Sequence, residues 1–242
     1  MPESSPASHP PTLYFEDGPA ISLALYQTQC DCIPVTRPPR IGQPALWLDA
    51  HGLGLLIPGR RQPFRLKHTV PASPTGSLLV RACGLLGQGH APSTVLDPCF
   101  GFGQDALTLA QIPGTQITGF ERQPLVYWLA RDACVTPQGA ITLTLGDGSQ
   151  CLALSKQRWN VLYLDPMFPT DRKRALPNIG AQVLRELNLD AAASPLDDLG
   201  WAITRGLERA DRVVVKRRPR DPVLGTPNHQ LAGKAVRFDV YV

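Results

Sequence analysis

Five acidic residues and two glycines are spaced as a ligand-binding crevice would need them. Gly101 and Gly103 stand in Asp97-Pro98-Cys99-Phe100-Gly101-Phe102-Gly103-Gln104-Asp105, between a short apolar stretch and a helical one. Glycine at such a turn lets the backbone bend sharply and lets a ligand approach closely. Glu121 ends the next apolar stretch, 20 residues after Gly101. At that spacing a carboxylate can accept both hydroxyls of an adenine ribose. Arg122 follows it and would flank the adenine. Asp147, Gly148 and Ser149 end the third stretch, where the base would rest, and Asp165 follows Val161-Leu162-Tyr163-Leu164. One acid at a strand end is often only a helix cap. Several at the carboxyl ends of successive strands point to the crevice where open α/β sheets bind ligands.

Asp165-Pro166-Met167-Phe168-Pro169 resembles the [ND]-P-P-[YF] motif of methyltransferases that modify exocyclic amines of bases. Such an amine is a poor nucleophile, because its lone pair is delocalised into the ring. The Asp165 carboxylate and the Pro166 carbonyl can each accept one of its N–H bonds, which draws the nitrogen toward tetrahedral geometry and aims the lone pair. The gain is one of positioning and electrostatics. Phe168 would stack on an extruded base, worth roughly 1–3 kcal/mol. The form D-x-x-x-G-x-G beginning at Asp97 is typical of loops facing S-adenosylmethionine. A dehydrogenase would want G-x-G-x-x-G, and Ala106 stands at the third position here, which that pattern tolerates.

The string YLDPMFP, with VVVKR, TPN and RFDVY downstream, closely resembles the bacterial ribosomal small-subunit methyltransferase J family over roughly Phe64 to Val242. The resemblance implies S-adenosylmethionine-dependent methylation of a guanine N2 in 16S rRNA, with S-adenosylhomocysteine as the product and no metal. It implies cofactor contacts at Gln104, Asp105, Glu121, Arg122, Gly148, Ser149 and Asp165. With the spacing argument, the expected cofactor set is Asp97, Gly101, Gly103, Gln104, Asp105, Glu121, Arg122, Asp147, Gly148, Ser149 and Asp165, and the expected catalytic set is Asp165, Pro166 and Phe168. The family usually has D-A-T-A-G-L-G-R-D at the glycine loop, so Gln104 replaces an arginine and removes a charge near the cofactor. The glycine-rich segment after R-K-F is poorly kept, with Phe64-Arg65-Leu66-Lys67-His68 leading into VPASPTG.

The elements that must position these residues alternate. Residues 94–97, 117–121, 141–147, 159–165 and 211–217 read as strands. Residues 104–112, 124–133, 181–189 and 196–209 read as helices, and 78–87 has helical spacing too. KAVRFDVYV closes the chain as a strand. Strands alternating with helices predict a class I, Rossmann-like α/β domain over 76–242, with a doubly wound, mostly parallel sheet. The two late strands suggest an antiparallel edge hairpin. Residues 1–12, polar and proline-rich, read as a disordered tail. ISLALYQ (21–27) and PALWLDAHGLGLLIP (44–58) read as short strands of a small β-rich N-terminal lobe over 13–75.

Composition sets bounds. A chain of 242 residues can bury a sizeable core unaided. Its net charge of +4 hides a split: 91–200 is net −3, while 201–242 is net +5 and Arg37 to Arg81 holds the single acid Asp49. Basic segments flanking the acidic middle suit RNA phosphates. Lys67, Arg172, Lys173, Arg174, Lys216, Arg217 and Arg218 are the expected RNA contacts, with small-subunit rRNA or the subunit itself as partner. Apolar runs fall far below a bilayer span and the N-terminus does not read as a secretory signal, so no membrane role is expected. Six cysteines without CxxC pairs read as free thiols of a reducing, cytoplasmic protein. HExxH, GxxxxGK[ST] and GxSxG are all missing from the sequence. Two rival readings stay open: methylation of another amine such as adenine N6, and a non-catalytic RNA-binding protein that keeps the fold.

Overall fold

The computed structural model describes residues 10–16, 23–68, 73–86, 92–134, 139–166, 179–187 and 194–242. Its chain contacts divide it into two compact units, Met1–Lys67 and His68–Val242. Most of the N-terminal segment read as a disordered tail, residues 1–9, lies outside the described residues.

The first unit holds a four-stranded sheet. Strand β1 (Thr12–Glu16) lies between β2 (Asp31–Val35) and β3 (Ala45–Asp49) and runs parallel to both, and β4 (Gly52–Leu56) returns antiparallel beside β3. The tight β3–β4 turn is built by Gly52, at φ +92°, and by Asp49, whose Oδ1 accepts the His51 amide at 2.7 Å. Asp49 Oδ2 also accepts from the Trp47 indole at 2.7 Å and from Arg65 at 2.6 Å. The strand expected over ISLALYQ is corrected within its described part: Leu23–Leu25 form a 3-10 turn. The buried side chains there are Tyr26 and Cys30, four residues apart. Thr28 between them is exposed, where a strand would bury it on the same face, so the burial follows a helical turn.

The second unit is built on a seven-stranded sheet. In chain order its strands are β5 (Ser93–Asp97), β6 (Thr115–Glu121), β7 (Ile141–Leu145), β8 (Trp159–Leu164), β9 (Ala210–Arg217), β10 (His229–Ala232) and β11 (Arg237–Tyr241), arranged β10-β11-β9-β8-β5-β6-β7. Strands β5 to β9 are mutually parallel, β11 runs antiparallel to β9, and β10 pairs antiparallel with β11 at the edge. The doubly wound sheet and its antiparallel edge therefore match the sequence expectation. The strand order reverses between β5 and β8, the switch point where such sheets open a crevice at their carboxyl ends.

Helices α1 (Leu78–Ala82), α2 (Gln104–Ala110), α3 (Pro124–Cys134), α4 (Gly148–Leu154), α5 (Ile179–Leu187) and α6 (Leu199–Arg209) complete the unit. Alternate strand residues feed two cores. Val161, Tyr163 and Val214 pack with Leu79, Ala106, Leu109 and Ala130 on one face. Leu162, Leu164, Val213 and Val215 pack with Leu152, Ala202 and Ile203 on the other. Burial on both faces is why these strands read as unbroken apolar runs.

Three helical segments differ most from the sequence reading. Helix α1 stops at Ala82, because Gly84 takes a left-handed φ of +68° and turns the chain. Residues 195–197 are a 3-10 turn with a capping box on Ser194, and α6 starts afresh at Leu199, capped by Asp198. The third difference is α4, which the strand-end reading of Asp147-Gly148-Ser149 had hidden. Asp147 caps it, accepting the Ser149 amide at 2.8 Å.

Candidate active site

A cleft of about 500 Å³ opens over the carboxyl ends of β5, β6 and β8, lined by the 97–105 loop, Glu121, Arg122, Asp147, Gly148, Asp165, Pro166 and Lys216. Side chains of α5 and the Ser194–Asp197 turn form further wall.

The glycine loop is shaped by one aromatic ring. Gly101 and Gly103 both take left-handed φ, +56° and +77°. A Cβ on Gly103 would stand 2.5 Å from Phe100 Cε1 and 2.7 Å from Cys134 Sγ, and one on Gly119 of β6 would also strike the Phe100 ring. Phe100, 5% exposed, thus wedges between two residues that must be glycine. Gly101 is different. A Cβ there meets nothing nearer than Leu184 Cδ1 at 3.8 Å, so its bare backbone leaves space on the cleft side of the loop.

The carboxylates are held by backbone amides. Glu121 Oε2 accepts from Gly101 at 2.9 Å and Oε1 accepts from Gln123 at 2.7 Å. Burial nevertheless pushes Glu121 above the usual carboxylate range, against the pull of those amides. Asp97, 2% exposed, is raised well above its ordinary value by burial, with the Cys99 amide 3.2 Å from Oδ1 opposing the shift. The Ser194 hydroxyl donates its one proton between the two Asp147 oxygens, 3.1 and 3.0 Å away.

Asp165 follows β8 directly. Lys216, near the end of the adjacent β9, donates to Asp165 Oδ2 at 2.9 Å and to Asp105 Oδ2 at 2.7 Å. Tyr163 donates its hydroxyl to the same Asp105 oxygen at 2.5 Å. Burial raises Asp165 to about 6, Lys216 works to lower it, and the like charge of Asp105 adds to the rise. For Lys216, burial opposes the charge, but Asp165 and Asp105 outweigh it and the net shift is upward.

Most expected cofactor residues thus come together: Asp97, Gly101, Gly103, Gln104, Asp105, Glu121, Arg122, Asp147, Gly148 and Asp165 all line the cleft. Ser149, buried behind Gly148, contributes its amide to Asp147. Pro166 lines the cleft beside Asp165. Phe168, Arg172, Lys173 and Arg174 lie outside the described residues.

Three members of the basic set have carboxylate partners within the protein. Lys216, expected among the phosphate contacts, is turned into the cleft and neutralised by two carboxylates. Arg217, 8% exposed, donates to the Pro222 carbonyl at 3.1 Å and lies 3.8 Å from Asp221. Arg218 pairs with Asp221 at 3.3 Å. Lys67 is exposed, in the first unit. Sequence reasoning missed Ser194, Tyr163 and the placement of Lys216. Ser194-Pro195-Leu196-Asp197 carried a readable capping-box pattern, and period-2 alternation along β9 places Lys216 on the face of Val214, toward α2.

The residues fit S-adenosylmethionine. A cationic sulfonium and an ammonium suit a cleft ringed by six acidic side chains, Glu121 can accept from a ribose, and the open side of Gly101 leaves room for one. Among the described residues, no group of three His, Cys, Asp or Glu side chains is placed to hold a metal ion.

Comparison with known proteins agrees. The family described as "Putative SAM-dependent methyltransferase" matches residues 65–242. A ribosomal RNA small subunit methyltransferase J of Marinobacter nauticus is 32% identical, over 93% of this chain and 87% of that protein. The protein of the same name from Alkalilimnicola ehrlichii is 33% identical, over 93% and 92%. Among solved structures, a SAM-dependent methyltransferase from Neisseria gonorrhoeae shares the fold with a TM-score of 0.68 at 24% identity, covering 96% of both chains.

Proposed function

The chain belongs to the ribosomal RNA small subunit methyltransferase J family of SAM-dependent methyltransferases, and on that footing we propose that it methylates the exocyclic N2 of a guanine in 16S rRNA. The observation that carries this reading is the placement of Asp165 and Pro166 in one cleft with Gly101 and Glu121, so that an amine acceptor and a nucleoside grip face the same space. S-adenosylmethionine, when bound, supplies an electrophilic methyl group on a sulfonium.

The chain's own residues do the rest. Gly101 and Gly103 shape the loop that receives the cofactor, Glu121 accepts from its ribose, and Asp147 with Gly148 and Ser149 borders its base. Asp165 and the Pro166 carbonyl accept the two N–H bonds of the target amine and so hold its lone pair in line. Phe168 stacks on the extruded guanine. The partner is small-subunit rRNA or the small subunit, met in the cytoplasm, and Lys67, Arg172, Lys173 and Arg174 remain the proposed phosphate contacts.

The test is methyl incorporation from labelled S-adenosylmethionine into small subunits lacking the mark, comparing the wild type with Asp165→Ala. Incorporation by the wild type as N2-methylguanine, and its loss in the variant, is the expected result. Equal incorporation by both proteins removes Asp165 from the chemistry. N6-methyladenine in the product moves the reading to the other amine. Absence of S-adenosylmethionine binding in calorimetry moves it to a non-catalytic RNA-binding protein.

A further inference from the structure

Asp165 is not alone at the end of β8. Its neighbour in the sheet is β9, where Leu164 pairs with Val215. Continuing that register sets Asp165 opposite Lys216, and the two side chains meet at 2.9 Å. The other end of the ammonium is anchored 2.7 Å away on Asp105, at the start of α2. Asp105 is in turn fixed by the hydroxyl of Tyr163, which is fully buried in β8. A chain of three interactions therefore ties the first turn of α2, the core of β8 and the end of β9 to one carboxylate oxygen.

Only Oδ2 of Asp165 is taken in this way. Among the described residues, no hydrogen-bond donor meets Oδ1, and the side chain keeps 32% of its surface open. An amine can therefore reach Oδ1 while Lys216 holds Oδ2.

We propose that Lys216 is a positioning residue of the methyl transfer: anchored by Asp105 and Tyr163, its ammonium holds the Asp165 carboxylate charged and oriented, leaving Oδ1 to accept the N–H of the target amine. The inference rests on the amine-methylating reading of Asp165. Its physical basis is that a protonated Asp165 carries an O–H donor and is a weaker acceptor for the amine than the carboxylate, whose hydrogen bonds are charge-assisted. With Lys216 removed, the half-buried Asp165 and Asp105 would face each other as like charges and titrate as a pair, and one of them would hold a proton at neutral pH.

Lys216→Met removes the charge while keeping most of the volume, and Lys216→Arg keeps the charge. Two measurements are needed. The first is the pH profile of kcat for methyl incorporation, with KM for each substrate. The second is titration of the Asp165 carboxyl by ¹³C NMR in the cofactor-free protein, assigned with Asp165→Asn. The wild-type acid limb should fall near pH 6. Lys216→Met should shift the acid limb and the NMR midpoint upward by about two units, lower kcat about 10-fold at pH 7, and recover activity toward pH 9. KM for the RNA should change by less than about threefold. Lys216→Arg should keep the wild-type midpoint. An unshifted midpoint in Lys216→Met, or a kcat loss equal at every pH, overturns the proposal. If Lys216→Met fails to fold by circular dichroism, Asp105→Asn decides. Loss of the anchor should move the NMR midpoint of Asp165, and an unmoved midpoint overturns the proposal. A wild type that methylates no RNA, or an Asp165→Ala variant that matches it, instead defeats the amine-methylating reading itself.

Discussion

The backbone amide of Gly101 donates to Oε2 of Glu121 at 2.9 Å, so one carboxylate both closes the glycine loop onto β6 and borders the cleft. Its other oxygen accepts the Gln123 amide at 2.7 Å. Both oxygens face N–H donors, and this arrangement tolerates a carboxylate far better than an amide. Glu121→Gln must turn its NH2 toward one of those donors and leave it without an acceptor, at a cost of about 1–3 kcal/mol. We expect S-adenosylmethionine affinity to fall roughly 10–100-fold, since the same change removes an acceptor from the ribose hydroxyls. Calorimetric titration measures the affinity. Binding within twofold of the wild type would show that Glu121 serves the loop alone.

The two glycines of the loop should separate in their effects. Gly103→Ala must place a methyl against Phe100 and Cys134 at a φ of +77°. Neither neighbour is free to yield, because both are buried in the core. A loss of about 2–4 kcal/mol in unfolding free energy is expected, measured by urea denaturation. Gly101→Ala meets open space at φ +56°, so only the left-handed backbone counts, at about 1 kcal/mol. Its larger effect should fall on cofactor affinity, because the new methyl stands where the loop has none. Equal destabilisation by the two variants would contradict the distinction.

The parts of this architecture legible in the sequence are those whose partners are local or periodic. The runs 159–164 and 210–217 could be read as buried strands because both of their faces meet core. Glu121 could be placed because its distance from Gly101 reflects one strand–helix–strand unit. Lys216 could not, because the acids that neutralise it lie 111 and 51 residues away in the chain. In a run of Lys216-Arg217-Arg218 the sequence shows three charges and hides their counter-ions. Ser194 escaped for the same reason: its bond to Asp147 spans 47 residues. Tyr26 and Cys30 show the opposite error, where apolar residues in a short window suggested alternation and burial obeyed a helical period. Phe168 and Arg172 to Arg174 lie outside the described residues, and their roles rest on sequence alone.

Cofactor affinity should depend on pH, with a sign set by the acids. Asp97, Glu121 and Asp165 are all raised above their ordinary values by burial, Asp165 to about 6. Above their folded values they are carboxylates facing a cation. As the pH falls through about 6, a proton neutralises Asp165 and the attraction for a cation weakens. Binding therefore selects the deprotonated cleft, and it should release protons where the two forms coexist. Affinity should decline about tenfold or more from pH 8 to pH 5. Calorimetry in two buffers of different ionisation enthalpy would detect the protons released near pH 6. Affinity flat across that range would mean that these acids do not face the bound cation.

The positive charge of the C-terminal segment divides into two kinds, and mutation should tell them apart. Arg237 is 7% exposed and forms a two-pronged pair with Asp239, at 2.8 and 2.9 Å, while its remaining nitrogen holds the Pro219 and Asp221 carbonyls. Arg237→Ala leaves Asp239, 1% exposed, without its counter-ion. Breaking a buried pair in this way costs about 3–5 kcal/mol, so this variant should lose stability in a thermal melt. Arg220 is exposed, on the loop that Arg237 secures. Arg220→Ala should leave the melting temperature within about one degree, since exposed charges contribute little to folding. If Arg220 meets an RNA phosphate, its loss should weaken RNA binding at low salt and lower the slope of log affinity against log salt by about one. An unchanged slope in Arg220→Ala would remove the β9–β10 loop from the RNA surface. It would leave Lys67 and the Arg172–Arg174 segment to carry the proposed phosphate contacts.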